Sequence, residues 1–186
     1  KKLLLIILIL NFSKSFSQNL DSLDSKTSFR EFKYGEHYNP ASLSDMIESP
    51  LMSTFMPNSK QKFYYKENDI FSIGDLKAKT IYYIFCDSIF VGYNIVFNSV
   101  NDYPNVSNIL HGLYGNHTNS ETIYGYESLP PKITWEGNVN TCTLMLFPKV
   151  SGLGYKTCVG FLNKVANNKS FKINNPFNFY GKDFFW

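Results

Sequence analysis

The residue types in this chain that could do acid–base or metal chemistry are three histidines and a scatter of carboxylates. His111 and His117 stand six apart with Gly112 and Gly115 between them, and His37 follows Glu36. A protein metal site usually needs three or four convergent His, Cys, Asp or Glu ligands. Nothing in the spacing brings a third ligand to this pair, so His111 reads as a polar residue beside a helix stripe and no metal or cofactor is expected. Glu31, Glu36, Asp69, Asp75, Glu121, Glu127 and Glu136 fall near strand ends or turns. Two carboxylates facing each other across a cleft could hydrolyse a glycoside. Solvated acids at turns are the plainer reading. The sequence contains no G-x-S-x-G, H-E-x-x-H, C-x-x-C or Walker-type loop. Gly152-Leu153-Gly154 sits between two expected strands, where a turn is simpler than a phosphate cradle.

Aromatic residues make up 17% of the chain, enough to look for a binding surface among them. Tyr82, Tyr93, Tyr124, Tyr126 and Trp135 lie in expected strands, where alternation sends some side chains outward. An exposed row of such rings could stack on sugars or anchor a protein partner. The competing reading is ordinary packing on a sheet. Two readings also stand for the cysteines. Cys142 and Cys158 lie in segments joined by a turn near Ser151-Gly152. Taken as a hairpin, these segments set the two cysteines opposite each other, within disulfide reach. The other reading is a pair of buried thiols. Cys86 reads as a core residue.

The elements that must position these groups are mostly strands. Ser28–Tyr34 reads as a strand ended by Gly35. Asn39-Pro40 is a helix-start signal, and Leu43, Met46 and Ile47 give a short amphipathic helix over 41–49. Phe63–Lys66 forms a strand, and Leu76–Phe85 and Ile89–Phe97 flank a tight turn at Cys86-Asp87-Ser88. A second helix is capped by Asn101 or Asp102 and carries Pro104 in its first turn. Its apolar stripe is Val106, Ile109, Leu110 and Leu113, and Gly115 stops it. Strands then resume at Glu121–Tyr126, Lys132–Trp135, Thr141–Phe147 and Tyr155–Leu162, with turns at Pro130-Pro131 and Glu136-Gly137-Asn138. The expected fold is α+β, a mostly antiparallel sheet of about six to eight strands with two short helices. It could be built as two helix-plus-strands halves.

The ends and the charge balance suggest where the chain works. Lys1-Lys2, the apolar run Leu3–Leu10 and a small-residue stretch to Ser17 follow the layout of a signal peptide. Residues 1–17 are therefore expected to be removed, 18–27 to be a flexible lead-in, 28–165 to form one domain, and 166–186 to be an Asn- and Phe-rich tail. Beyond residue 17 the chain holds 15 basic and 15 acidic residues, a balance that gives no argument for nucleic-acid binding. Arg30 is the only arginine. No transmembrane helix is expected after the leader.

Several short stretches resemble a known pattern. Phe29-Arg30-Glu31-Phe32-Lys33-Tyr34-Gly35 is similar to the opening of small exported bacterial proteins of unknown function. Tyr83 to Phe90 resembles their hairpin, Leu113-Tyr114-Gly115 their second helix end, and Thr134-Trp135-Glu136-Gly137 their strand with Trp before a turn. The resemblance spans residues 28–162 and implies a secreted α+β domain with no activity to carry over. The function expected is that of an exported, periplasmic or extracellular, non-catalytic binding domain for an envelope protein or glycan. One alternative is an envelope hydrolase using acids such as Glu36 and Glu136 or His37. Another is a small outer-membrane-associated β protein, suggested by the terminal Phe184-Phe185-Trp186.

Overall fold

The computed structural model describes residues 20–50, 61–122, 129–148 and 155–170, built mainly of strands and the turns that join them. Its centre is an antiparallel sheet of nine strands, more than the count expected from sequence. The strands are β3 (Ile47–Glu48), β4 (Gln61–Tyr65), β5 (Ser72–Ile73), β6 (Leu76–Cys86), β7 (Ile89–Phe97), β8 (Asn119–Glu121), β9 (Lys132–Glu136), β10 (Asn140–Pro148) and β11 (Tyr155–Asn163). Their order is β3-β4-β6-β7-β11-β10-β9-β8, with β5 pairing β6. Two meanders thus run inward from opposite edges and meet where β7 pairs with β11. The β6–β7 turn forms as expected: Asp87 and Ser88 both take positive φ, 49° and 68°, the backbone of a two-residue hairpin loop.

Both faces of the sheet are covered. One carries the helix α2 (Tyr103–Tyr114), the short helix α1 (Leu20–Asp24) and a two-stranded hairpin of β1 (Ser28–Phe29) and β2 (Phe32–Lys33). The other carries Ala166 of α3 (Lys164–Ser170). Helix α2 starts where its sequence indicates, with Pro104 in its first turn, but the expected cap differs: Asp102 stands at its N-cap position without a side-chain cap bond, and Ser99 with Asp102 forms a reciprocal capping box on the 3-10 turn Val100–Asp102 ahead of it. Its buried stripe, however, is Tyr103, Val106, Leu110 and Tyr114. Leu113, expected in the stripe, is 47% exposed. The helix is rolled toward its tyrosines because Tyr114 packs against both Trp135 and Phe161.

Three local expectations give way to tertiary pairing. Ser28–Tyr34 is a tight hairpin, because Arg30 takes φ 56° and folds Phe29 back beside Phe32. Residues 41–49 form no α-helix. A 3-10 turn spans Pro40–Ser42, where the Ser42 hydroxyl donates to the Asn39 carbonyl, and Leu43 is extended. Serines compete for backbone groups in this way, and Ile47 and Glu48 then pair with Tyr65 and Tyr64 of β4. The lead-in also departs from expectation: residues 20–24 are helical and Leu23 is fully buried in the core. The signal-peptide segment 1–17 and most of the tail lie outside the described residues.

Asp24 is what anchors that lead-in. Its Oδ2 accepts from the Asn138 N–H at 2.7 Å, and its Oδ1 from Val139 and Asn140 at 2.9 and 2.8 Å. A Cβ at Gly137 would lie 2.2 Å from the same Oδ1, so a side chain there would push the Asp24 carboxylate off these amides. The Asn140 amide donates back to the Leu23 and Lys26 carbonyls, and its Oδ1 accepts from Asn163. Asn163 in turn accepts from the Ala166 N–H at the start of α3. Burial would by itself raise the Asp24 pKa, yet the three backbone N–H groups and Lys164 hold it below the usual carboxylate value. We expect Asp24→Ala to cost about 2–4 kcal/mol in urea unfolding, since three amides lose a charged acceptor. A depressed folded pKa contributes stability above the unfolded value that is lost as pH falls through the folded one. Asp24→Asn should therefore show a shallower stability loss than wild type below about pH 4; an unchanged slope would remove Asp24 from that role.

Candidate functional site

Two clefts lie along the β3-β4-β6 side of the sheet. One is a cleft of about 520 Å³ between the 39–41 turn, β4 and the β6–β7 turn. Tyr64 and Phe85 form its floor, edge to face with ring centroids 5.7 Å apart. Asn39, Lys62, Asp87 and Ser88 line its rim. Lys62 reaches Glu48 at 3.2 Å, and the Tyr64 hydroxyl donates to the same carboxylate at 3.4 Å. The hydrogen bond to Glu48 raises the Lys62 pKa. Burial, and then the Glu48 charge, raises that of Tyr64. The cleft therefore presents a lysine paired with Glu48 and a polar rim above two nearly buried rings. A second cleft, of about 530 Å³, lies between the 66–71 loop and the start of β6. Its loop is held from behind by Asp69, which accepts from Tyr83 at 2.6 Å and pairs with Arg30 at 3.1 Å.

The expected row of outward aromatics is not what the sheet presents. Tyr93 is 7% exposed and lies between Phe29 and Phe161, with ring centroids 3.6 and 4.8 Å away. Trp135 is fully buried, and its indole N–H donates to the Gly115 carbonyl at 2.8 Å. Both point to the face that α2 and the β1–β2 hairpin cover, so neither can stack on a ligand. Tyr82 is half-buried and meets Tyr65 edge-on. Tyr124 and Tyr126 lie outside the described residues, as do Glu127 and the Gly152-Leu153-Gly154 turn.

Most of the described candidate acids are held by basic partners. Glu31 pairs with Lys66, Glu36 with Lys33, Glu121 with Lys132, and Glu136 with Lys164. Asp75 is exposed. Glu36 and His37 pair with the start of β7, whereas Glu136 is on β9, with β11 and β10 between. Sequence reasoning missed the depth of Lys132, whose side chain is 5% exposed and reaches Glu121 at 2.7 Å. It also missed the approach of the histidines: His111 Nε2 is 3.1 Å from His117 Nδ1. The available signal was Gly115, whose φ of 76° turns the chain back on the helix end. Among the described residues no group of three or more His, Cys, Asp or Glu gathers as for a metal. Nor is any described helix long and apolar enough to cross a membrane.

The disulfide reading fails on register. β10 and β11 pair Cys142 with Phe161 and Cys158 with Met145. The two thiols are three residues out of step and project to opposite faces, both fully buried and unbridged. Burial pushes the Cys142 pKa well up and that of Cys158 to about 12. Reductant should leave the melting temperature unchanged, and both thiols should stay inert to a thiol reagent at pH 8 until the protein unfolds. A drop in melting temperature with reductant would restore the bridge.

Asn94 lies opposite Gly160 in the β7–β11 seam, 1% exposed, and neither its Nδ2 nor its Oδ1 has a hydrogen-bond partner. An unpaired buried amide costs about 1–3 kcal/mol. Asn94→Leu, similar in volume, is expected to raise the unfolding free energy by about 1–2 kcal/mol in urea; a loss instead would mean that the amide is paired in solution. No protein-family model matches this chain, and neither the curated proteins nor the solved structures contain a match to it.

Proposed function

We propose that this chain is an exported, non-catalytic binding domain of the cell envelope, and that its ligand is a glycan held in the cleft between the 39–41 turn, β4 and the β6–β7 turn. The observation that carries this reading is the character of that cleft. Its volume of about 520 Å³ is that of a small-ligand site. A sugar unit has apolar C–H faces and a rim of hydroxyls. The cleft matches those hydroxyls with Asn39, Lys62, Asp87 and Ser88 around its mouth, while the rings of Tyr64 and Phe85, 3% and 1% exposed, close its floor and are too buried to stack on a ligand. An envelope protein is the other partner class that export and a neutral charge balance allow. The small concave shape favours the glycan. Pairing of Glu31, Glu36, Asp69, Glu121 and Glu136 with lysine or arginine, and the separation of Glu36 and His37 from Glu136, both favour binding over hydrolysis.

The test is a titration of the protein with soluble envelope-glycan fragments, followed by NMR or calorimetry. The double variant Asn39→Ala/Lys62→Ala should bind at least about tenfold more weakly, some 1.4 kcal/mol, with its melting temperature little changed. Binding undiminished in that variant would remove the cleft from the reading. Release of cleaved products would remove the non-catalytic part. Absence of glycan binding, with one envelope protein captured by crosslinking in cells, would replace the glycan with a protein partner.

A further inference from the structure

The contact between His111 and His117 has a physical requirement of its own. Two imidazole nitrogens 3.1 Å apart cannot both present lone pairs unless something electropositive lies between them. On His111 the roles are assigned by the other ring nitrogen. Nδ1 is 2.8 Å from the Ser107 carbonyl oxygen, which can only accept, so Nδ1 carries a proton and Nε2 of the neutral ring is a lone pair. An imidazole held by a backbone carbonyl through one nitrogen, with the other left open, is the arrangement that orients metal-ligating histidines. His117 is delivered to that lone pair by the reversal at Gly115. Trp135 holds the reversal through its bond to the Gly115 carbonyl and backs both imidazoles, with ring centroids 5.0 and 6.4 Å from His111 and His117.

We propose that His111 Nε2 and His117 Nδ1 form a two-imidazole site for a borderline divalent cation, copper(II) most tightly and zinc less so. With metal–nitrogen bonds of about 2.0–2.1 Å, nitrogens 3.1 Å apart subtend about 100° at the ion. That lies between the right angle of tetragonal copper and the tetrahedral angle of zinc. Binding displaces the shared proton from His117 Nδ1 to its Nε2, so that both facing lone pairs turn to the ion. Among the described residues no third His, Cys, Asp or Glu joins the pair. Water fills the remaining positions and the ion exchanges readily. Copper(II) heads the affinity order for imidazole ligands. The site is separate from the glycan cleft, and neither reading depends on the other.

Trp135 supplies the readout, because paramagnetic copper held on His111 would sit beside its ring and quench it. The chain has two tryptophans, so Trp186→Phe leaves Trp135 as the single reporter. Titration of this tag-free protein with copper(II) is expected to give saturable quenching at one equivalent, reversed by chelator and competed by excess zinc. The apparent affinity should fall at least tenfold in His117→Gln and in His111→Gln, and stay unchanged in His37→Gln. Quenching that does not saturate, survives both pair variants, or disappears with His37→Gln overturns the proposal. Should the pair variants not fold, imidazole nitrogen NMR of the unmutated protein decides instead: zinc must shift His111 Nε2 and His117 Nδ1, and unmoved signals reject the site.

Discussion

The seam between β7 and β11 is the contact on which the rest of the molecule depends. It is the only described pairing between the two meanders, and it sets the central strands where both faces are covered. The approach is close: a Cβ at Gly92 would lie 2.2 Å from the Phe161 carbonyl oxygen. A side chain there would force the strands apart, so a glycine in an otherwise bulky strand is a condition of the seam. Once β7 and β11 are joined, Tyr93 and Phe161 stack beside each other, Phe29 closes over Tyr93, and Tyr114 of α2 has its docking surface.

A chain of polar contacts ties the periphery to this sheet. Asp24 closes the β9–β10 turn over α1, Asn140 reaches back to the Leu23 and Lys26 carbonyls, and Asn163 carries the link to α3. Each member donates to or accepts from the next, so the abundant Asn and Asp have structural work before any functional role. On the opposite meander, Arg30, Asp69 and Tyr83 do the same for the 66–71 loop. The acids that could suggest catalysis by type are largely spent on such ties. Between these supports the described surface has two clefts.

The two functional readings draw on different physics. The cleft beside β4 offers shape and mixed polarity, suited to an uncharged polyol. The histidine pair sets two imidazole nitrogens at a separation that a proton or a cation can bridge. Each is built on a turn with left-handed backbone, Asp87-Ser88 for the cleft and Gly115 for the pair, set against a rigid strand or helix end.

Sequence by itself determined what depends on near neighbours. The α+β class, the β6–β7 hairpin with Asp87-Ser88 at its tip, and the span of α2 from just after Asp102 to Gly115 were all legible, because turn backbone and helix stops act within a few residues; the capping box of Ser99 was not read. Tertiary structure decided what depends on which face meets which partner. Residues 41–49 had the spacing of a helix but pair with β4, because strand pairing outweighs a weak propensity in a segment bounded by Pro40 and Pro50. Tyr93 and Trp135 looked like surface aromatics until α2 and the β1–β2 hairpin took that side of the sheet. Cys142 and Cys158 could be read as a bridge or as two buried thiols, and a register offset of three residues decides for the thiols by sending the side chains to opposite faces, since the strand repeat is two. The approach of His111 to His117 depended on the turn at Gly115 and on Trp135 holding it, a contact between segments that no local pattern encodes.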